Sequence, residues 1–139
     1  MKATDICVGD WLNIYTFPND NPKQDDLFPA KVSAVSVFDP FKDPDDVTVE
    51  LVIPNTDGIA SRPLNTCLPI KLTEEILVKN GFGKVNNQYF LGQVEIKELR
   101  DCWVVTINKE DADIDINIHY VHQLQRLLNL CNIDKEIIL

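Results

Sequence analysis

The sequence predicts an α+β fold, in which a small antiparallel meander or barrel is followed by a mixed part with one short and one longer helix. Three observations predict it. All eight prolines, at 18, 22, 29, 40, 44, 54, 63 and 69, lie in the first half. Proline lacks a backbone donor and is excluded from helix interiors and central strands, so that half reads as short strands and turns. Apolar residues there alternate at period two, whereas the second half carries a fully signalled helix start and an apolar stripe at intervals of three and four.

In chain order, Trp11 to Tyr15 follows a Gly9-Asp10 turn and reads as a strand. Residues 18 to 29 form an acidic, proline-bounded loop. The next strand is Ala30 to Phe38, with Val32, Ala34, Ser36 and Phe38 on one face and Lys31, Ser33, Val35 and Val37 on the other. A second acidic turn, Asp39 to Asp46, leads into Val47 to Ile53, a β-branched strand.

Leu72 to Phe82 is the clearest helix. Thr73 is its N-cap, Glu74 and Glu75 favour the positive end of the dipole, and Leu72 can staple onto Leu77. Gly81 supplies the left-handed position after the helix, and Phe82 folds back. Lys84 to Phe90, Val94 to Leu99 and Cys102 to Asn108 read as strands, with turns at Asn86-Asn87 and Arg100-Asp101. Ile114, Ile116 and Ile118 alternate with polar residues, as in a half-buried strand or an extended lead-in. The longer helix runs from about Ile118 to Leu130, with Tyr120, Val121, Leu124, Leu127, Leu128 and Cys131 in its stripe and Gln123, Gln125, Arg126 and Asn129 facing away. Asn132 stops it, and the apolar end, Ile137 to Leu139, is expected to be pinned into a sheet. Residues 1–69 thus form a β-rich part and 70–139 an α+β part, expected to share one compact unit.

Leu, Ile, Val and Phe number 14, 14, 13 and 6, or 47 of 139 residues, far above the roughly 20% below which chains are disordered. A chain of this length buries enough surface to fold without a disulfide or metal staple. The net charge of −9 excludes a protein that neutralises phosphates with a basic face, so no direct nucleic-acid binding is expected. The excess is uneven: net −6 over residues 1–69 and −3 over 70–139. Four cysteines, at 7, 67, 102 and 131, show no Cys-x-x-Cys pair and read as small buried hydrophobes in a reducing compartment. Met1 to Asp10 holds no apolar run of signal-peptide length and no stretch suits a bilayer, so a cytoplasmic protein without a membrane partner is expected.

No nucleophile elbow or phosphate-cradling glycine loop is present, so no catalytic residues and no cofactor are expected. His119 and His122, three apart, could reach one metal ion if they share a helix face, but a third ligand is needed, from Asp113 or Asp115 on a separate element. The acidic loops lack the glycine and terminal glutamate of an EF-hand and read as solvated. Trp11, Tyr15, Phe17, Phe28, Phe38 and Phe41 concentrate aromatics in the first half; core packing takes most of them, and any left exposed point to a protein partner.

Ile70 to Leu77 with Gly81-Phe82, Tyr120-Val121-His122-Gln123-Leu124-Gln125, and the Val8-Gly9-Asp10-Trp11 opening together resemble a family of short uncharacterised proteins of gut Bacteroidales, often found in phage or mobile-element surroundings. The acidic insert between Trp11 and Lys31 departs from that family's pattern. The same opening resembles the entry to SH3-like barrels, which implies an SH3-like first part and, by itself, no function. The resulting expectation is a non-enzymatic accessory or adaptor protein acting by protein contact through Trp11, Tyr15, Gln123 and Arg126, with self-association open. Two alternatives stand beside it: an acidic modulator or mimic that engages a basic nucleic-acid-handling protein, and a metal-binding protein using His119 and His122.

Overall fold

A computed structural model describes residues 6–15, 27–37, 47–108 and 113–139 and divides the chain into two compact units, Met1–Ile70 and Lys71–Leu139. Among the described residues each unit holds one five-stranded sheet and there are two α-helices, so the class is α+β.

The first unit contains β1 (Trp11–Tyr15), β2 (Leu27–Val37), β3 (Val47–Val52), β4 (Ile59–Pro63) and β5 (Leu68–Pro69), with a 3-10 turn at Leu64–Thr66. The strands lie in the order β4-β3-β2-β1-β5: β1 to β4 form an antiparallel meander, β5 crosses over to pair with β1, and the sheet stays open with β4 and β5 as its edges. Alternation drives Leu12, Ile14, Ala30, Val32, Val47, Val49 and Leu51 onto one dry face, which Ile6, Leu64 and Cys67 join. The entry turn is built by two residues. Gly9 takes φ 95°, a left-handed conformation suited to glycine. The buried Asp10 carboxylate accepts from the Cys7 N–H at 2.7 Å, and the Val32 N–H donates to Asp10 O at 2.8 Å.

Three expectations for this unit need correction. The register of β2 against β3 shifts between Val32 and Ala34, leaving Ser33 as an extra residue whose hydroxyl donates to Glu50 O at 3.1 Å. Such a bulge reverses the side-chain phase. Val35 therefore packs against the same core as Ala30 and Val32 instead of facing the opposite way. Strands β4 and β5 are also additional to the three expected, because each is short and ends in proline. Pro63 and Pro69 are tolerated because both strands are edges. Strand β2 likewise begins earlier than Ala30 and runs through Pro29, where β1 alone is its partner.

In the second unit, α1 (Glu74–Lys79) is capped as its residues dictate: the Ile76 N–H donates to Thr73 Oγ1 at 3.4 Å. At its end Gly81 has φ 82°, and the Phe82 N–H returns to Leu77 O at 3.1 Å. Then β6 (Gly83–Val85), β7 (Gln88–Leu91), β8 (Val94–Glu98), β9 (Trp103–Asn108) and β10 (Asp113–Ile118) form an antiparallel meander in sequence order. Asn86, at φ 54°, turns β6 into β7, so the expected strand over residues 84–90 is a hairpin. Tyr89, Val94, Ile96, Trp103, Val105, Ile107 and Ile118 are buried. Trp103 meets Tyr89 edge to face at 5.7 Å and donates its indole N–H to Leu72 O. α2 (Val121–Leu130) starts three residues later than expected, because Ile118 is still paired in β10 and Lys71 bridges to Tyr120. The apolar stripe of α2 is buried as expected at Val121, Leu124, Leu127 and Leu128.

Gln125 does not face away, and the terminal segment is not a strand. Both departures have one cause. Gln125 is buried and donates to Lys135 O at 2.9 Å while its oxygen accepts from the Ile137 N–H at 2.6 Å. Asn80, also buried, repeats the arrangement on Ile138, accepting from its N–H at 2.8 Å and donating to its carbonyl at 2.7 Å. Two carboxamides thus supply the backbone pairing that a neighbouring strand would otherwise give, and Ile137, within the Lys135–Ile138 stretch they hold, is fully buried. Burying that side chain contributes about 2 kcal/mol.

Replacing Asn80 with Ala leaves the Ile138 N–H and carbonyl without their side-chain partner and takes one of two donors from the Ile76 carbonyl, which keeps the residue-80 backbone N–H. The expected result is a loss of about 2–3 kcal/mol in urea unfolding, with faster hydrogen exchange at the Ile138 amide than at Leu77.

Candidate functional site

Because Leu12 and Ile14 point into the first unit's core, Trp11, Asn13 and Tyr15 stand half-exposed on the opposite face of β1. Register then fixes their neighbours. Trp11 lies opposite Lys31, Lys31 opposite Val52 and Val52 opposite Ile59, so one row crosses four strands. Beside it, Asn13 lies between Pro29 and Leu68, and Tyr15 lies opposite Leu27. Val52 is 40% exposed, Ile59 68% and Leu68 39%. Sequence reasoning singled out Trp11 and Tyr15 but missed Val52, Ile59 and Leu68. The signal for the first two was present in Pro54-Asn55-Thr56-Asp57-Gly58, a turn sequence that folds β3 back into β4, with the Ile53 N–H donating to Gly58 O at 3.1 Å.

Gln123 and Arg126 are half-buried on α2 and line a shallow groove of about 240 Å³ with Ile116, Ile118, Leu127 and Leu130. The Gln123 side-chain oxygen accepts from the His119 and Tyr120 N–H groups at 2.7 and 3.1 Å. That oxygen is therefore committed to starting the helix.

The two histidines have different surroundings. His119 precedes the helix, is exposed, and has Nδ1 2.9 Å from Asp101 O. A carbonyl oxygen only accepts, so this contact assigns the proton to Nδ1. His122 is buried and stacks on Tyr120 with ring centroids 5.7 Å apart and planes 9° off parallel. Among the described residues, no group of three His, Cys, Asp or Glu side chains is placed to hold a metal ion. His119 instead lines a cleft of about 400 Å³ with Lys71, Glu98, Arg100, Asp101 and Cys102, two formal positive and two negative charges beside an imidazole and a thiol.

The cysteines differ from the uniformly buried reading: all four are free thiols, with Cys67 buried, Cys102 and Cys131 intermediate and Cys7 exposed. Cys7 is turned outward because its backbone N–H is drawn into the Asp10 turn. Burial pushes the Cys67 thiol pKa up. The acidic loops at 20–26 and 39–46 lie outside the described residues, as do Phe17, Phe38 and Phe41, while Phe28 packs half-buried against the first core. No helix among the described residues is long and apolar enough to cross a membrane.

One charged cluster couples α1 to the second sheet. Lys84 Nζ lies 2.6 Å from Glu74 and 5.6 Å from the centre of the Tyr89 ring. The ammonium hydrogen bond holds the Glu74 carboxyl below its usual range, and burial, followed by the Glu74 contact, raises the Tyr89 hydroxyl. No protein-family model, curated protein or solved structure matches the chain.

Two outcomes follow. A thiol reagent added to the folded protein modifies Cys7 first, and Cys67 only at the rate of unfolding. For Tyr89 the folded pKa is the higher one. The stability this shift represents is fully present below the ordinary tyrosine value of about 10 and is lost as pH rises through the folded value. Melting temperatures followed from neutral to strongly alkaline pH therefore fall more steeply for the native protein than for Tyr89→Phe.

Proposed function

We propose that the protein is a non-enzymatic contact module that holds a protein partner on the outward face of its first sheet. The observation that carries this reading is the row from Trp11 through Lys31 and Val52 to Ile59, with Tyr15 and Leu68 alongside. A surface that gathers an indole, a phenol and three exposed aliphatic side chains around one lysine has the makeup of an interface centre, rich in Trp and Tyr and sparing in charge. The face belongs to rigid paired strands, so a partner meets it with little ordering cost.

We further read this unit as SH3-like. The strand order, the 3-10 turn between β4 and β5, and the Val8-Gly9-Asp10-Trp11 opening support that reading. The resemblance of the Leu72–Leu77 and Tyr120–Gln125 segments to short Bacteroidales proteins supports a phage or mobile-element setting for the partner.

The test places a photo-crosslinking residue at Val52 or Ile59, and at Asp57 as a control, in cells that express the protein naturally. The same partner is expected from positions 52 and 59 and not from 57. With that partner purified, Val52→Lys combined with Ile59→Lys is expected to weaken binding by roughly tenfold or more, about 1.4 kcal/mol, with the melting curve retained. No shared partner at 52 and 59, or undiminished binding by the double variant, overturns the reading.

A further inference from the structure

The geometry points to β10 as a homodimerisation edge, on which a second copy of this chain adds its own β10 antiparallel, centred on Ile116. The inference rests on the second unit alone and is independent of the contact face proposed above.

The first support is a comparison of the four sheet edges. An edge strand offers unpaired backbone groups to any other strand, and proteins blunt such edges with shortness, proline, charged side chains, lysine above all, or bulges. β4 carries Arg62 and Pro63, β5 is two residues long and ends in Pro69, and β6 is three residues long and carries Lys84. β10 lacks shortness, proline, lysine and a bulge; its only charges are Asp113 and Asp115, of which Asp115 accepts from the Thr106 hydroxyl at 2.6 Å. It is six residues, Asp-Ile-Asp-Ile-Asn-Ile, with no Lys, Arg or Pro, and it pairs with β9 without a register shift.

The second support is the row that β10 terminates. Pairing places Lys84, Tyr89, Ile96, Val105 and Ile116 side by side across all five strands. Tyr89, Ile96 and Val105 are buried, and Lys84 closes one end by lying over the Tyr89 ring. Among the described residues the other end closes on nothing comparable: Ile116 is 36% exposed and opens onto the groove whose rim holds Leu130, 80% exposed. Ile116 of a second copy would extend the row.

Charge then selects the register. A parallel arrangement in register sets Asp113 and Asp115 against their own copies, and like charges directly opposite are destabilising. An antiparallel arrangement must keep isoleucine facing isoleucine, since a slip of one residue exchanges the faces. Centring on Asp115 opposes two carboxylates. Centring on Ile116 sets Asp115 against Asn117 of the second copy and Asp113 against its His119, an exposed imidazole, and engages more of the strand than centring on Asn117.

Sedimentation equilibrium over a wide concentration range tests this on the full chain. A reversible monomer–dimer equilibrium is expected, weakened roughly tenfold or more by Ile116→Lys, which brings two ammonium groups together at the dyad. Because Ile116 is partly exposed, circular dichroism of that variant should match the native protein at concentrations where both are monomeric. In a background with Cys7, Cys102 and Cys131 changed to Ser, Ile116→Cys is expected to form an intermolecular disulfide on mild oxidation, since directly opposed Cβ atoms lie about 5 Å apart, whereas Asp115→Cys alone is not. A chain that stays monomeric at every concentration overturns the proposal, as does a dimer that Ile116→Lys leaves intact. Preferential cross-linking through Asp115→Cys overturns the register.

Discussion

An extended segment can enter a protein core only if its backbone polar groups are satisfied there, and in the second unit that condition is met by the side chains of Asn80 and Gln125. Each carboxamide presents a donor and an acceptor in the spacing of a peptide group. Together they engage Lys135, Ile137 and Ile138 in place of a sixth strand. The contact ties three parts of the unit. Asn80 caps α1, Gln125 lies midway along α2, and Ile137 fills the core between the backbone positions they hold. A strand could slide by two residues and keep its pairing. Two amides of different length, one on each helix, specify a single placement.

The same economy of one dry face per sheet runs through both units. Period-two alternation buries one side of every strand and leaves the other wet, so each sheet has an outward face, and an open meander also has two edges. In the first unit the outward face is where the apolar residues accumulate, along the Trp11 row. In the second it is the margin of the sheet that stays apolar, because the buried row ends on Ile116. The two candidate contact regions therefore arise from the same pattern read in two directions, across a face and along an edge.

Much of this was legible in the residues. The helix at 74–79 announced itself through Thr73, Gly81 and Phe82, each of which makes the capping contact its chemistry predicts. β1, β3, β9 and the buried stripe of α2 followed from periodicity alone. Periodicity failed where local structure breaks it: the Ser33 bulge reverses phase without any marker residue, and β4 and β5 are too short to establish a period. A glutamine beside Arg126 and Asn129 looks like a solvated face, and the backbone partners that draw Gln125 inward lie in a segment ten to twelve residues later, beyond its bond to Asn129. Of the contact residues, Trp11 and Tyr15 were visible as aromatics in a strand. The turn at 54–58 signals that Val52 and Ile59 pair, but only cross-strand register places them and Leu68 beside Trp11 and Asn13.

The chain reverses direction through six left-handed positions among its described residues, and only three of them are glycine; Asn55, Asn86 and Asn132 take the others at φ 61°, 54° and 56°. Asparagine reaches that conformation at moderate cost and, unlike glycine, remains restricted when the chain is unfolded. Hairpin loops and a helix end are thereby specified by residues that also narrow the denatured ensemble. Part of what holds this fold together is thus absent from any contact in it: the disordered chain has less freedom to lose when those turns close.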